Sequence, residues 1–466
     1  MQVSHNLTSI SASFSEVNLT GAAGLVPVMA LAKQAGLRES VDQKVKLPTD
    51  KGANAGLKVT ALVAGMLSGA DSIDDMGILR HGAMGKLFTG TYAPSTLGSF
   101  LRTFTFGHAR QLQSTAGELL VNLNQQVPLL GKPSKEQFVF LDVDDTIIEV
   151  HGYMKQGAGY GYSKVRGLNA LLGTVSTDEY APALVSQRLR KGATHSARGA
   201  AHFIAGVVGT VKKMNLGGRL ITRADSAYYS ATAVAAALAG GAQVSVTVRM
   251  NKHIKGTIGT IDDQSWVKIA YPKAIFDEDT KQWISDAEVA EIPYTAFSSK
   301  KKALRVPGRL VVRRVAQRNE TKLAMEGQEP MFQIYRYHAV FSTIPQEWMD
   351  TVALDKTHRQ HAVIESVNAE LKSGPLAHMP SGNFTANTAW LHAAAMAYNL
   401  TRAAGLLAGG RFTRAKLATI RQKLILVPAR VASSARKQVL HLPWNWPWAG
   451  AWMRLLTSVQ ALPQTV

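Results

Sequence analysis

The run from Phe138 to Ile148 constrains this chain more than any other. Val139, Leu141 and Val143 alternate there with Phe140, Asp142 and Asp144, which is the period of a β-strand. Successive strand residues point to opposite faces, so Asp142 and Asp144 share one face and Asp145 takes the other. Carboxylates that end so apolar a strand are costly to bury unless a cation meets them. A hard divalent ion such as Mg²⁺, which prefers oxygen ligands, is the natural partner. An Asp-rich turn after an edge strand is the alternative.

The segments that follow place this strand in a layered core. A Gly/Tyr-rich turn from Gly157 to Tyr162 leads to strands at Leu168–Val175 and Ala183–Leu189. Phe203, Val207, Val211 and Met214 keep helical spacing within Ser196–Met214. A short strand at Arg219–Arg223, a helix at Tyr229–Leu238 and a strand at Val244–Val248 complete the order β-β-β-α-β-α-β, an α/β class. Residues 1–132 read as a helical N-terminal region, with Leu57, Ala61, Ala64 and Leu67 on one stripe and Leu97, Leu101 and Phe104 on another. Pro94-Ser95-Thr96 looks like a helix start with Ser95 as its cap. A helix-turn-helix and a plain bundle both fit this region. Residues 133–251 form the first part of the core, and 252–345 read as a β-rich insertion with turn signals at Asp262-Asp263 and Pro307-Gly308. Helical pattern returns in 346–405, and 406–466 form a basic C-terminal region whose tail holds Trp444, Trp446, Trp448 and Trp452.

Charge narrows the partners. The 466 residues carry 52 Lys and Arg against 32 Asp and Glu, a net charge of +20. No acid occurs from Leu371 to Val466 against eleven basic residues, or from Tyr180 to Ala224 against eight. One-signed fields of this kind attract polyanions, nucleic acid first and an acidic membrane surface second. The absence of cysteine excludes disulfides, thiolate zinc sites and cysteine nucleophiles. No Lys or Arg precedes Lys33, so the basic start of a signal peptide is missing. The apolar stretch Leu391–Leu407 is interrupted by His392 and Arg402 and is too short to span a bilayer. A soluble cytoplasmic protein without a membrane partner is expected.

Two further acidic points stand out. Asp225 sits where a strand ends and a helix is about to begin, a place that suits an N-cap and also a ligand site at the carboxyl ends of core strands. His358, His361, Glu365 and Lys372 fall within about a 60° arc of one helix, with Ile364, Val367 and Leu371 roughly opposite. An amphipathic helix with a solvated face explains this stripe as well. A His-x2-His-x3-Glu zinc site is disfavoured because no His-Glu-x2-His pattern accompanies it. Together the three acidic points could hold two metals about 3.5–4 Å apart, the arrangement that serves in-line phosphoryl displacement.

Several motifs carry a resemblance. They are Leu141-Asp142-Val143-Asp144-Asp145-Thr146, Val150-His151-Gly152, Arg223-Ala224-Asp225-Ser226 and the late helix ending Glu370-Leu371-Lys372. In this order the chain resembles bacterial insertion-sequence transposases of the DDE class. The family's Tyr-x2-Arg-x3-Glu-x6-Lys signature reads here His358-x2-His361-x3-Glu365-x6-Lys372, with Glu and Lys kept and both other positions His. The resemblance implies a ribonuclease-H-like mixed sheet flanked by helices, with an inserted β-rich subdomain. It implies Asp144, Asp225 and Glu365 as catalytic metal ligands, with Asp142 in reserve for the first. Two Mg²⁺ ions, or Mn²⁺ in their place, would serve each site. Lys372, His361 and His358 would contact DNA, and Trp266 or Trp283 could stack on a flipped base, although a Trp anchoring a β-sheet explains either. The implied substrate is double-stranded DNA, at inverted-repeat ends and at a target, handled by a homodimer near the bacterial nucleoid. Asp142-x-Asp144-x-Thr146 also matches haloacid-dehalogenase-type phosphatases, in which Asp142 would be the nucleophile and Asp144 the acid/base. A catalytically inactive DNA-binding relative is the third reading.

Overall fold

The computed structural model describes residues 1–48, 50–161, 163–278, 281–316, 335–434 and 437–463. Tyr162 at the end of the expected turn, 317–334 within the expected β-rich segment, and 435–436 and 464–466 of the C-terminal region lie outside the described residues.

The N-terminal region is helical as its periodicity requires. Helix α1 (Ala55–Leu67) is buried on nearly every side, and α2 (Phe106–Gln126) starts with a Thr105 cap. The helix expected to be capped by Ser95 begins two residues earlier, with Ala93 at the cap. Pro94 occupies the first helical position behind Ala93, where a missing N–H costs nothing.

The expected core order is present. Strands β1 (Phe138–Glu149), β2 (Arg166–Ser176) and β3 (Ala183–Lys191) pair antiparallel in sequence. Helix α3 (Ala200–Lys213) then returns the chain to β4 (Arg219–Ala224), which runs parallel to β1. Helix α4 (Ala231–Ala239) leads to β5 (Gln243–Val248), parallel to β4. The β-rich segment contributes β6 (Ala287–Ala296), β7 (Val306–Ala316) and β8 (Tyr335–Ser342). These strands do not form a sheet of their own. β8 pairs antiparallel with β5, β7 with β8 and β6 with β7, so that among the described residues one ten-stranded mixed sheet results. Backbone accounting explains the continuation, because β5 left as an edge would present a row of unpaired N–H and C=O groups.

Helices cover both faces. Phe140 and Ile221 pack with Val311, Val340 and Leu354 on one face, beneath α5 (Thr351–Arg359); α6 (Val363–Lys372) follows it after a tight turn at Gln360–Ala362. α3 lies on the other face. Gly173, the partner of Val143 across β1 and β2, gives it room: a Cβ there would stand 2.5 Å from Val207 and 3.2 Å from Phe203. Helix α7 (Phe384–Ala408) is the apolar stretch noted in the sequence and is buried through most of its length. Its polar groups are matched inside: His392 with Gln187, Asn399 with the backbone of Leu184, and Arg402 with Glu370 and Tyr398. Among the described residues no helix is long and apolar enough to cross a membrane. The C-terminal region holds a hairpin that composition did not announce, β9 (Ala429–Ser434) with β10 (Lys437–His441). Leu19–Thr20 adds a strand to it before the last helix, α8 (Ala449–Ala461).

Gly173→Ala should therefore overpack the β2–α3 contact and cost about 1–3 kcal/mol in urea unfolding. Val207→Ala in the same chain should recover part of that loss, whereas full additivity would remove the contact as its cause.

Candidate active site

The site is built around an ion pair. Asp142 of β1 and Arg223 of β4 are direct register partners, and both side chains are buried, at 0% and 2% exposure. Arg223 donates from Nε at 2.8 Å and Nη2 at 2.7 Å to the two carboxylate oxygens. Its Nη1 donates to the carbonyl of Thr357 on α5 at 2.8 Å, and its guanidinium stacks on Phe140 at 4.2 Å. His361 Nδ1 donates to Asp142 at 2.8 Å. Burial alone would raise the Asp142 pKa; Arg223 and then His361 more than offset this and hold it below the ordinary value.

Two residues further along each strand, on the same face, stand Asp144 and Asp225. Asp225 is exposed and caps the turn Ser226–Tyr228 through the Ala227 N–H at 2.9 Å. Asp144 is pushed up to about 6. Burial is the main cause, and the charges of Asp225 and Asp145 add to it against the Asp145 N–H and His361. Asp145 points to the other face as strand alternation requires. There it accepts from Tyr228 Oη at 2.7 Å and from Asn169, and lies 3.1 Å from Arg190 in an ion pair.

The helix opposite brings up the remaining groups. α6 buries Ile364, Val367 and Leu371, the stripe expected to pack. Its other stripe carries Glu365, Asn368 and Lys372, and His361 stands on the same side in the turn just before it. Asn368 Nδ2 donates to Asp144 at 3.3 Å, and its Oδ1 is buried with no hydrogen-bond partner. Glu365 lies exposed between the two residues that touch Asp142 and Asp144, and Lys372 is exposed at the helix end. Asn368 was not singled out from sequence; its spacing of three from Glu365 was the available signal. Among the described residues no group of three or more His, Asp or Glu side chains stands close enough to hold a metal ion as the side chains lie.

Other expected residues are placed differently. His358 does not face solvent. Ser245 and Thr247 hydroxyls meet its two ring nitrogens at 2.9 Å each, and burial, then the charges of His361, Arg223 and Arg313, pull its pKa down to about 3. It is a neutral packing residue there, not a cation offered to phosphate. Trp266 lies against the Arg314 guanidinium at 4.2 Å and beside Tyr337, which is the sheet-anchor arrangement. Trp283 packs on Phe276 within a short hairpin.

A family model described as transposase DDE domain group 1 matches residues 3–464. The chain belongs to the DDE transposases. Among solved structures, a piggyBac transposase synaptic complex with hairpin DNA is similar to it, with a TM-score of 0.44 and 8% identity over 86% of this chain and 78% of that one. No curated protein matches the chain. The transposase is thus a DNA transposase by family, and the phosphatase alternative is overturned. Its geometry agrees: Asp142, the would-be nucleophile, is sealed by Arg223 and His361, and β1 runs into an antiparallel β2 rather than a helix.

Two outcomes follow for this transposase. Arg223→Met leaves a buried charge unpaired and should cost about 3–5 kcal/mol in denaturant unfolding, most of it recovered by Asp142→Leu in the same chain. Folded Asp144 holds its proton to about pH 6, whereas in the unfolded chain it ionises near the ordinary value of 3.8. Stability linked to that proton is therefore full below the unfolded value and lost as pH rises through the folded one. With chelator present, Asp144→Asn should be more stable than wild type by about 2–3 kcal/mol at neutral pH. Most of that gap should close on acidification toward the unfolded value; a gap independent of pH would refute the assignment.

Proposed function

We propose that Asp144, Asp225 and Glu365 are the carboxylates with which this transposase cuts DNA at the ends of its element and joins the freed 3′-OH to target DNA. The observation that carries the reading is that among the described residues Asp144 has no ion-pair partner in a chain of net charge +20, while the oxygen of Asn368 beside it lacks a hydrogen-bond partner. An all-oxygen donor set of this kind fits Mg²⁺, or Mn²⁺ in its place. Two ions bound there would supply a lowered water pKa and neutralise charge on the attacking and leaving oxygens. Asp144 and Asp225 form one wall of that site at adjacent strand ends. Glu365, on a rotatable exposed side chain, closes it from α6. Asn368 orients Asp144 through its amide. Asp142 is not a ligand in this reading; it fixes Arg223 and the end of α5, and His361 shares that role. Lys372, beyond the carboxylates on the same stripe, holds a DNA phosphate in register with the site. The helical residues 1–132 recognise the inverted repeats, residues 406–466 contact DNA backbone, and two copies act together on two ends in the cytoplasm.

Asp225→Asn and Glu365→Gln should each lower strand cleavage of a plasmid bearing the gene with its flanking DNA by at least about 10²-fold. Duplex binding and melting temperature should stay as in wild type. Undiminished cleavage by either variant would remove that residue from the site.

A further inference from the structure

A cleft of about 680 Å³ opens where α2, β3 and α3 meet the helix Leu37–Lys44. It lies on the α3 side of the sheet, away from the face of Asp142 and Asp144. Lys44, Arg110, Arg188 and Lys213 line it, with Glu118 as its one carboxylate. Lys44 at 2.7 Å and the Ser40 hydroxyl already satisfy that carboxylate. Among the described residues Arg110, Arg188 and Lys213 have no carboxylate within ion-pairing distance. By contrast, Arg190, Arg223, Arg309, Arg313, Arg314 and Arg402 are each paired with a carboxylate.

Arg188 shows the strain of this arrangement. Its Nε is buried with no hydrogen-bond partner, and its guanidinium is fixed over Phe203 at 5.6 Å. Burial, then the neighbouring charges of Arg110 and Arg190, lower its proton affinity. The floor is made of helix backbone. Gly117 of α2 and Gly206 and Gly209 of α3 line the cleft, and glycine is the poorest helix former after proline. Packing does not demand them: a Cβ on Gly206 or Gly209 would meet nothing within 4 Å, and one on Gly117 only Thr210 at 3.9 Å. Bare helix backbone beside unpaired cations suits a bulky anion that must come close. Ser114 and Ser186 add hydroxyl donors.

We propose that this cleft is a second, non-catalytic DNA site that seats the sugar-phosphate backbone of a duplex. The cations come from separate elements, which matches charge spread along a strand better than one compact phosphate. Recognition of phosphate rests on the cleft alone; the choice of DNA as its source rests on the proposed function. Contacts of this type position DNA without reading sequence.

The test is fluorescence anisotropy of a short random-sequence duplex with the full chain, between about 50 and 200 mM salt. The double variant Arg110→Gln/Lys213→Gln, whose positions are both exposed, should bind about tenfold or more weakly at low salt. Its log–log salt slope should fall by about 2. Gly206→Glu should lose affinity with a melting temperature no lower than wild type, because Glu favours the helix. Wild-type affinity and slope in both variants would overturn the site. Binding of inorganic tripolyphosphate without binding of duplex would overturn DNA as its occupant. Failure of the catalytic reading would show separately, as strand cleavage undiminished in Asp225→Asn.

Discussion

The buried pair between Asp142 and Arg223 is the constraint on which the site depends. Two charges taken from water at 0% and 2% exposure are sustained only by complete partnering. The fork geometry of Arg223 satisfies both carboxylate oxygens, Phe140 covers one face of the guanidinium, and its remaining amino group reaches Thr357. That set fixes three things at once: the parallel register of β1 and β4, the depth of α5 on the sheet, and through His361 the start of α6. Asp144 and Asp225 each follow a member of the pair by two residues. Their proximity is thus a consequence of the register, and any slip would separate them.

The same pair explains what could be read from the sequence and what could not. The alternation around Asp142 and Asp144 gave the strand and its face, because period-two burial is local information. It could not rank the two aspartates, because the partner that neutralises one of them is Arg223, distant in sequence and visible there only as part of a motif. The stripe of His358, His361, Glu365 and Lys372 was legible as a direction on a helix. What stands opposite each residue was not. A tight turn at Gln360–Ala362, which carries His361, separates His358 from Glu365 and Lys372, and Ser245 and Thr247 close over it. The extension of the sheet by β6, β7 and β8 was hidden for a related reason: composition announced strands, but an edge awaiting pairing is a property of backbone in three dimensions.

The basic run between Tyr180 and Ala224 looked like one field in the sequence and divides in the fold. Arg190 and Arg223 turn inward, each against a β1 aspartate, on opposite faces of the sheet. Arg188 and Lys213 stay at the cleft beside α3. Net charge therefore overstates the surface potential in some places and locates it in others. Counting cations cannot separate a residue that stabilises the core from one that recruits a polyanion; pairing can.

Applied to the partly buried acids of the central sheet, the same criterion singles out Asp144. Asp142, Asp145, Asp355, Glu288, Glu291 and Glu370 are each met by an arginine. Asp144, Asp225 and Glu365 have no such partner among the described residues, although cations exceed anions by twenty. A sequence so rich in arginine had ample means to neutralise a partly buried carboxylate, and Arg223 passes Asp144 to bind Asp142 instead. On the proposed function, a carboxylate left without an ion-pair partner in such surroundings is poised for a cation from solution. The surrounding positive field then serves a second end, because it draws phosphodiester to a place where its own charges alone would be repelled.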